Sequence, residues 1–162
     1  MSEHRVNFSW ERKGLEFTYK NFSRDHEWDF GNGNVIKATA APEFLGNPEL
    51  VDPEQAFVAS IASCHGLTFL AICALQKIEV DSYSDNSVGY LEKAEDGKPW
   101  LSKIDLHPKI KFADSVNIEI EQIQELHQKA HAECFLARSV KTTIKINQIF
   151  INNLCVPYIL ID

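Results

Sequence analysis

The sequence predicts an α+β fold from three features: short runs near both ends that alternate apolar and polar side chains, one long stretch that is apolar or small almost throughout, and a later stretch with helical spacing. The order strands, long helix, strands, helix, strand segregates the element types, as α+β chains do. A length of 162 residues suits one core. The expectation is a single domain over residues 1–147, followed by an apolar C-terminal tail, 148–162, whose role the sequence leaves open.

The first strands are read from Val6-Asn7-Phe8-Ser9-Trp10, Phe17-Thr18-Tyr19, Trp28-Asp29-Phe30 and residues 35–40. Aromatic and β-branched residues at every second position mark half-buried antiparallel strands. Gly31-Asn32-Gly33-Asn34 between the last two is a hairpin turn. A polar stretch, 42–52, with two prolines and a glycine, then leads to a segment of different character.

Residues 53–77 contain Ala, Ser, Leu, Ile and Phe, with one glycine and no proline after the first position. Asp52 suits the N-cap, Pro53 the first helical position and Gln55 the reciprocal position of a capping box. Between 56 and 74 only Ser60, Ser63, His65 and Thr68 are polar, so the helix is expected to be buried on every face and to form the centre of the core. Strands are expected again at 78–83, 87–94 and 100–112, with a turn at Glu95-Asp96-Gly97-Lys98-Pro99. Residues 117–132 read as a surface helix whose buried stripe holds Ile120, Ile123, Leu126 or His127, and Ala130. Residues 140–146 alternate strictly and close the pattern as a strand. The tail, with Ile149, Phe150, Ile151, Leu154, Val156 and Tyr158, is more apolar than a free terminus, so packing against something is expected of it.

Twenty-three acidic against 16 basic residues give a net charge of −7, which disfavours nucleic acid as a partner. No uninterrupted apolar run reaches the roughly 18 residues of a membrane span, so no membrane partner is expected. The polar start Met1-Ser2-Glu3-His4-Arg5 lacks the apolar region of a signal peptide, and a cytoplasmic location is the expectation.

Four cysteines, Cys64, Cys73, Cys134 and Cys155, are too few for a disulfide scaffold, so their individual chemistry matters more than their number. Cys64 lies in the apolar helix, where a thiol is inert unless a fixed cation makes it a thiolate. Arg24, in Ser23-Arg24-Asp25-His26, could supply that cation, and Glu54 could hold a guanidinium in place; by itself Glu54 is equally a carboxylate favoured by the helix dipole. Cys134 follows His131, as Cys64 precedes His65, so two chemistries are open. One is a zinc site, disfavoured because adjacent helix residues point about 100° apart. The other is a dithiol that cycles through a disulfide. Cys73 lies on nearly the opposite helix face from Cys64 and reads as core, as do Phe57 and Phe69 unless they line a pocket.

The stretch Val51-Asp52-Pro53-Glu54-Gln55-Ala56-Phe57-Val58-Ala59-Ser60-Ile61-Ala62-Ser63-Cys64-His65 resembles the signature of the OsmC/Ohr family, the osmotically inducible protein C and organic hydroperoxide resistance proteins. The segment from His131 to Cys134, ahead of a last strand, is similar to the second family element. Ser23-Arg24-Asp25-His26 and Ala40-Ala41-Pro42-Glu43 look like an OsmC-like branch of it. The resemblance implies an intertwined homodimer in which antiparallel sheets wrap long central helices. It implies a thiol-dependent peroxidase for organic hydroperoxides, with Cys64 peroxidatic and Cys134 resolving, Glu54 holding the activating arginine, and Arg24 (or, second, Arg12) as that arginine. The disulfide would be recycled by an external dithiol, commonly a lipoylated protein, and no metal or organic cofactor is implied. Phe135 departs from the proline that many peroxidase members carry after the resolving cysteine. An OsmC-like protein that binds a small ligand without turnover is the alternative.

Overall fold

The computed structural model describes residues 2–14 and 16–147, with the backbone alone of 149–151 and 154–156. The chain divides into two compact units, Met1–Ala56 and Phe57–Asp162, each described here by itself.

The first unit carries an antiparallel sheet of β1 (Asn7–Ser9), β2 (His26–Asp29) and β3 (Val35–Ala38), in that order. The expected hairpin joins β2 to β3 through Gly31, Asn32 and Gly33, all with positive φ, which is the backbone such tight turns need. Phe17-Thr18-Tyr19, expected as a strand, is instead a turn in which Asn21 and Phe22 both donate to the Thr18 carbonyl, at 3.1 and 3.0 Å. Aromatic alternation there serves a side-chain cluster, with Trp10, Phe17 and Phe22 rings 5.7–6.3 Å apart, rather than a ladder. A 3-10 turn at Pro42–Phe44 interrupts the polar stretch before the helix.

Helix α1 (Pro53–Leu75) begins with the expected capping box: Gln55 N–H donates to Asp52 Oδ1 at 2.7 Å, and Asp52 N–H donates to Gln55 Oε1 at 3.2 Å. It ends in a Schellman motif, with Lys77 in the left-handed region (φ 60°), Ile78 N–H on the Cys73 carbonyl and Lys77 N–H on that of Ala74. The expectation of burial on every face is corrected by the single chain. Its buried residues, Ile61, Cys64, His65, Gly66, Phe69 and Cys73, spread over about half of the helix circumference, while a strip at Ser63, Leu67, Ala71 and Ala74 is exposed, Leu67 at 68%. By length and composition alone the helix could also cross a membrane, which counting uninterrupted apolar residues had missed; it carries buried polar His65 on the face that meets α2.

In the second unit, β4 (Val80–Asp85), β5 (Val88–Lys93), β6 (Pro99–Leu106) and β7 (Pro108–Phe112) are followed by helix α2 (Ile120–Glu133), β8 (Thr143–Ile146), β9 (Ile149–Ile151) and β10 (Leu154–Val156). They form two sheets, β5-β6-β8 and β10-β9-β7-β4. The strand expected over 100–112 is thus two strands in different sheets, divided at His107-Pro108, where proline cannot continue a ladder. The neighbours β6 and β8, and β7 and β9, run parallel; the other pairs are antiparallel. β9 and β10 fall within the tail; its side chains, and the packing role expected of them, lie outside the described residues.

The core joins Ile61, Phe69 and Cys73 of α1 to Ile104 and Leu106 of β6, Ile110 and Phe112 of β7, Ile123, Leu126 and Ala130 of α2, and Ile144 and Ile146 of β8. α2 buries the stripe expected of it except Ile120, which is 46% exposed. Gly89 lets α1 lie close on β5, since a Cβ there would sit 2.5 Å from Val58 Cγ2 and 3.1 Å from Leu101 Cδ2. Gly89→Ala is therefore expected to lower the free energy of unfolding by about 1–3 kcal/mol, read by denaturant titration.

Candidate active site

Both cysteines singled out by the sequence sit where α1 and α2 meet. Cys64 lies midway along α1; Cys134 is the residue that ends α2, its N–H bonded to the carbonyls of Ala130 and His131 at 3.0 and 3.2 Å. Their sulfurs are 2.8 Å apart as free thiols, with Cys134 Sγ–H directed at Cys64 Sγ. That is beyond the ~2.05 Å of a covalent S–S bond, and a disulfide would need only a small approach.

The two thiols differ. Burial, and then the neighbouring Cys64 thiol, push Cys134 up to about 11, against backbone N–H groups of Ala137 and Leu136 that pull it down. At neutral pH Cys134 is therefore the protonated donor of the S–H···S contact. Cys64 retains 9% of its accessible surface while Cys134 retains none, so Cys64 is the more open to an incoming molecule. Gly66, about 200° round the helix from Cys64, lets the Tyr83 ring lie close on α1: a Cβ there would lie 2.9 Å from Tyr83 Cε1. Burial pushes the Cys73 thiol up to about 11 within the core, where it is inert.

Beside the thiols lies a feature that sequence reasoning left unassigned. His65 Nε2 and His127 Nδ1 are 3.0 Å apart, both residues are almost fully buried, and the rings are coplanar to within 2°. Their 5.3 Å centroid separation exceeds the N···N distance by about two ring radii, so the rings meet tip to tip in an N–H···N bond rather than face to face. Phe69 stacks on His127 at 4.4 Å. The outer nitrogens, His65 Nδ1 and His127 Nε2, are buried and have no hydrogen-bond partner among the described residues, as is the case for His131 Nδ1. Burial holds His65 down at about 4, with His131 adding to the shift, and holds His127 well below the ordinary histidine range, with His65 adding. Both are neutral at pH 7. Their signal in the sequence is faint: His65 adjoins Cys64, and His127, His131 and Cys134 fall at i, i+4 and i+7, which is one helix face. Among the described residues no group of three His, Cys, Asp or Glu side chains is placed to hold a metal ion, so the zinc arrangement does not form there.

The two expected activators are described within the first unit. Arg24 gives Nη1 to the Phe22 carbonyl at 2.6 Å and Nη2 to the Tyr19 carbonyl at 2.5 Å, and its guanidinium lies 3.8 Å from the Phe22 ring centre. Glu54, in the first turn of α1, has Oε2 buried without a hydrogen-bond partner, and among the described residues it forms no ion pair with Arg24. Arg12 is exposed in the loop after β1. His26 opens β2 between Phe8 and Trp28, with Nδ1 on the Arg24 carbonyl at 2.8 Å.

Comparison with known proteins agrees with this architecture. A family profile described as OsmC-like protein matches residues 46–148. Among solved structures, an OsmC-like protein of unknown function from Vibrio cholerae is 41% identical, with a TM-score of 0.87 over 93% of this chain and 100% of that one. Two others share the fold at lower identity. An organic hydroperoxide resistance protein from Elizabethkingia anophelis is 18% identical, with a TM-score of 0.67 over 94% of this chain and 99% of its own. An organic hydroperoxide resistance protein OsmC from Legionella pneumophila is also 18% identical, with a TM-score of 0.63 over 93% and 98%. No curated protein matches the chain. The profile covers more than half of the sequence and includes both Cys64 and Cys134, and the Vibrio cholerae relative spans nearly all of it: the chain belongs to the OsmC-like protein family.

Proposed function

We propose that this chain is a thiol-dependent peroxidase that reduces organic hydroperoxides to alcohols. The observation that carries the reading is the pair of buried reduced sulfurs 2.8 Å apart, the outer one more open than the inner and the inner one held protonated. The Cys64 thiolate attacks the outer peroxide oxygen; the O–O bond breaks, the sulfur becomes a sulfenic acid, and the alkoxide takes a proton and leaves as alcohol. Cys134 then gives up its proton as its sulfur attacks Cys64 Sγ, hydroxide departs as water, and the Cys64–Cys134 disulfide forms. An external dithiol such as a lipoylated protein reduces that bond and is itself oxidised.

In this reading Glu54 holds a guanidinium through Oε2, which has no hydrogen-bond partner among the described residues, and Arg24 is the arginine that takes that part. The exposed apolar side of α1 at Leu67 and Leu75 supports a homodimer, in which the second copy covers it. A cytoplasmic setting, where thiols are kept reduced, suits the chemistry. One observation favours the alternative of a small-ligand binder without turnover: Arg24 Nη1 and Nη2 each donate to a carbonyl of their own loop and not to Glu54.

Steady-state consumption of cumene hydroperoxide with dihydrolipoamide as reductant separates the two. A peroxidase consumes it catalytically and faster than hydrogen peroxide. Saturable ligand binding, unaltered by Cys64→Ser and without any consumption, would establish the binder.

A further inference from the structure

The α1–α2 seam has two polar contacts, and only the sulfur pair enters the chemistry above. Residues 127 and 134 are seven apart on α2, so they share one face about 10 Å apart along its axis. Residues 64 and 65 are neighbours on α1 and point about 100° apart. Apolar packing of Ile123, Leu126 and Ala130 holds α2 in the core without a directional bond to α1; beside the sulfur contact, a second directional contact two turns away fixes its register. The His65–His127 bond is that contact. It is directional, since in neutral imidazoles a single N–H must point along the lone pair of the other ring, and the coplanar rings meet that requirement. Phe69 on α1 clamps His127 from the ring face.

We propose that His65 and His127 are positioning residues for disulfide closure: their tip-to-tip hydrogen bond registers α2 on α1 and so keeps Cys134 Sγ within reach of Cys64 Sγ. The proposal rests on the thiol-pair reading and deepens it. Both imidazoles are closed off from solvent, His65 at 1% and His127 at 0% exposure, so an incoming peroxide meets Cys64 and not the histidine contact; in this proposal the first oxidation is indifferent to the contact, and only the second step, which joins the two helices covalently, depends on it.

The test is the effective concentration of the Cys64–Cys134 pair, measured on the full chain by equilibrium with reduced and oxidised glutathione, which needs no hydroperoxide activity. Alongside it, the rate of Cys64 oxidation by cumene hydroperoxide is followed by trapping the sulfenic acid. His127→Leu fills the same space without a hydrogen bond, His65→Leu reads the contact from the other side should the first variant not fold, and His127→Asn keeps a polar atom near the position of Nδ1. Each folded Leu variant is expected to lower the effective concentration about tenfold or more, the Asn variant to stay within about threefold of the parent, and the Cys64 oxidation rate to stay within about twofold in all. A folded Leu variant with the parent's effective concentration overturns the proposal, as does an Asn variant that loses as much as Leu. An unreactive Cys64 in the parent overturns the peroxidase reading instead, and leaves the glutathione equilibrium to decide the positioning role.

Discussion

Cys64→Ser is expected to abolish hydroperoxide consumption, lowering the rate by about a thousandfold or more to the uncatalysed background, because the thiol that remains in the site, Cys134, is fully buried and held protonated. Cys134→Ser is expected to fail differently. Its Cys64 still attacks the peroxide, so alcohol appears in a burst of one equivalent per chain, but the sulfenic acid has no neighbouring thiol 2.8 Å away to close on. Quenched-flow product counting separates the two: no burst for Cys64→Ser, a single-turnover burst followed by arrest for Cys134→Ser. The serine hydroxyl can still donate to the Cys64 sulfur, so the burst itself is expected to run within a few-fold of the parent's first turnover, on the order of the difference between one S–H and one O–H donor. A Cys64→Ser variant that turned over at the parent's rate would place the nucleophile elsewhere.

Acid is expected to unfold the protein through its buried histidines. Burial holds His65 down at about 4, and His127 and His131 also below the ordinary histidine range, so the unfolded chain takes up protons that the folded chain refuses. Stability is therefore full above about pH 6.5 and falls as the pH drops toward 4. His65 alone accounts for about 3 kcal/mol of that fall, from a shift of about 2.5 pH units at 1.36 kcal/mol each, and His127 adds to it in the same direction. The groups around the pair are His131 and the thiols Cys64 and Cys134, with Tyr83 beyond Phe69. Burial keeps His131, Cys134 and Tyr83 uncharged as the pH falls, so none of these three offers the pair a negative charge. Asp85, pushed up by burial, works in the opposite sense nearer the carboxylate range, so the histidine effect is cleanest between about pH 6.5 and 5. Urea unfolding across that range is expected to lose stability in the parent, and to lose less in His127→Asn, which has one buried imidazole fewer; equal slopes would mean the pair is already charged or already open.

Much of the fold is legible in the sequence because its signals are local. Asp52, Pro53 and Gln55 announce the start of α1 and bond as their types require, and Gly31-Asn32-Gly33 announces the β2–β3 hairpin. What local signals miss is what distant residues decide. The parallel pairing of β6 with β8 and the passage of the chain between sheets at His107-Pro108 depend on strand order, which period-two alternation does not encode. Phe17 and Tyr19 alternate like a strand but belong to an aromatic turn. A helix apolar all round is expected to be enclosed, yet the single chain leaves Leu67 of α1 68% exposed, because enclosure depends on what packs against a helix and not on its composition alone.

The site divides in the same way. Cys64 and Cys134 stand out through the resemblance of their flanking residues to the OsmC/Ohr elements, and the structure brings their sulfurs together across 70 residues of chain. The His65–His127 contact joins residues 62 positions apart, and nothing in either flank requires the other. A buried histidine at Leu126-His127 looks like any polar residue at the margin of an apolar stripe until the helix it faces is known. Arg24 was chosen for its charge; its partners, the Phe22 and Tyr19 carbonyls, are two and five residues away in its own loop.

The most direct measurement is intact mass and free-thiol count of the native protein before and after one equivalent of cumene hydroperoxide, followed by peptide mapping. The account predicts the loss of two of the four thiols, a mass lower by two hydrogens, and one cross-linked peptide joining Cys64 to Cys134, formed faster than with hydrogen peroxide. Four thiols surviving in the folded protein, or a link that joins any other pair, would contradict it.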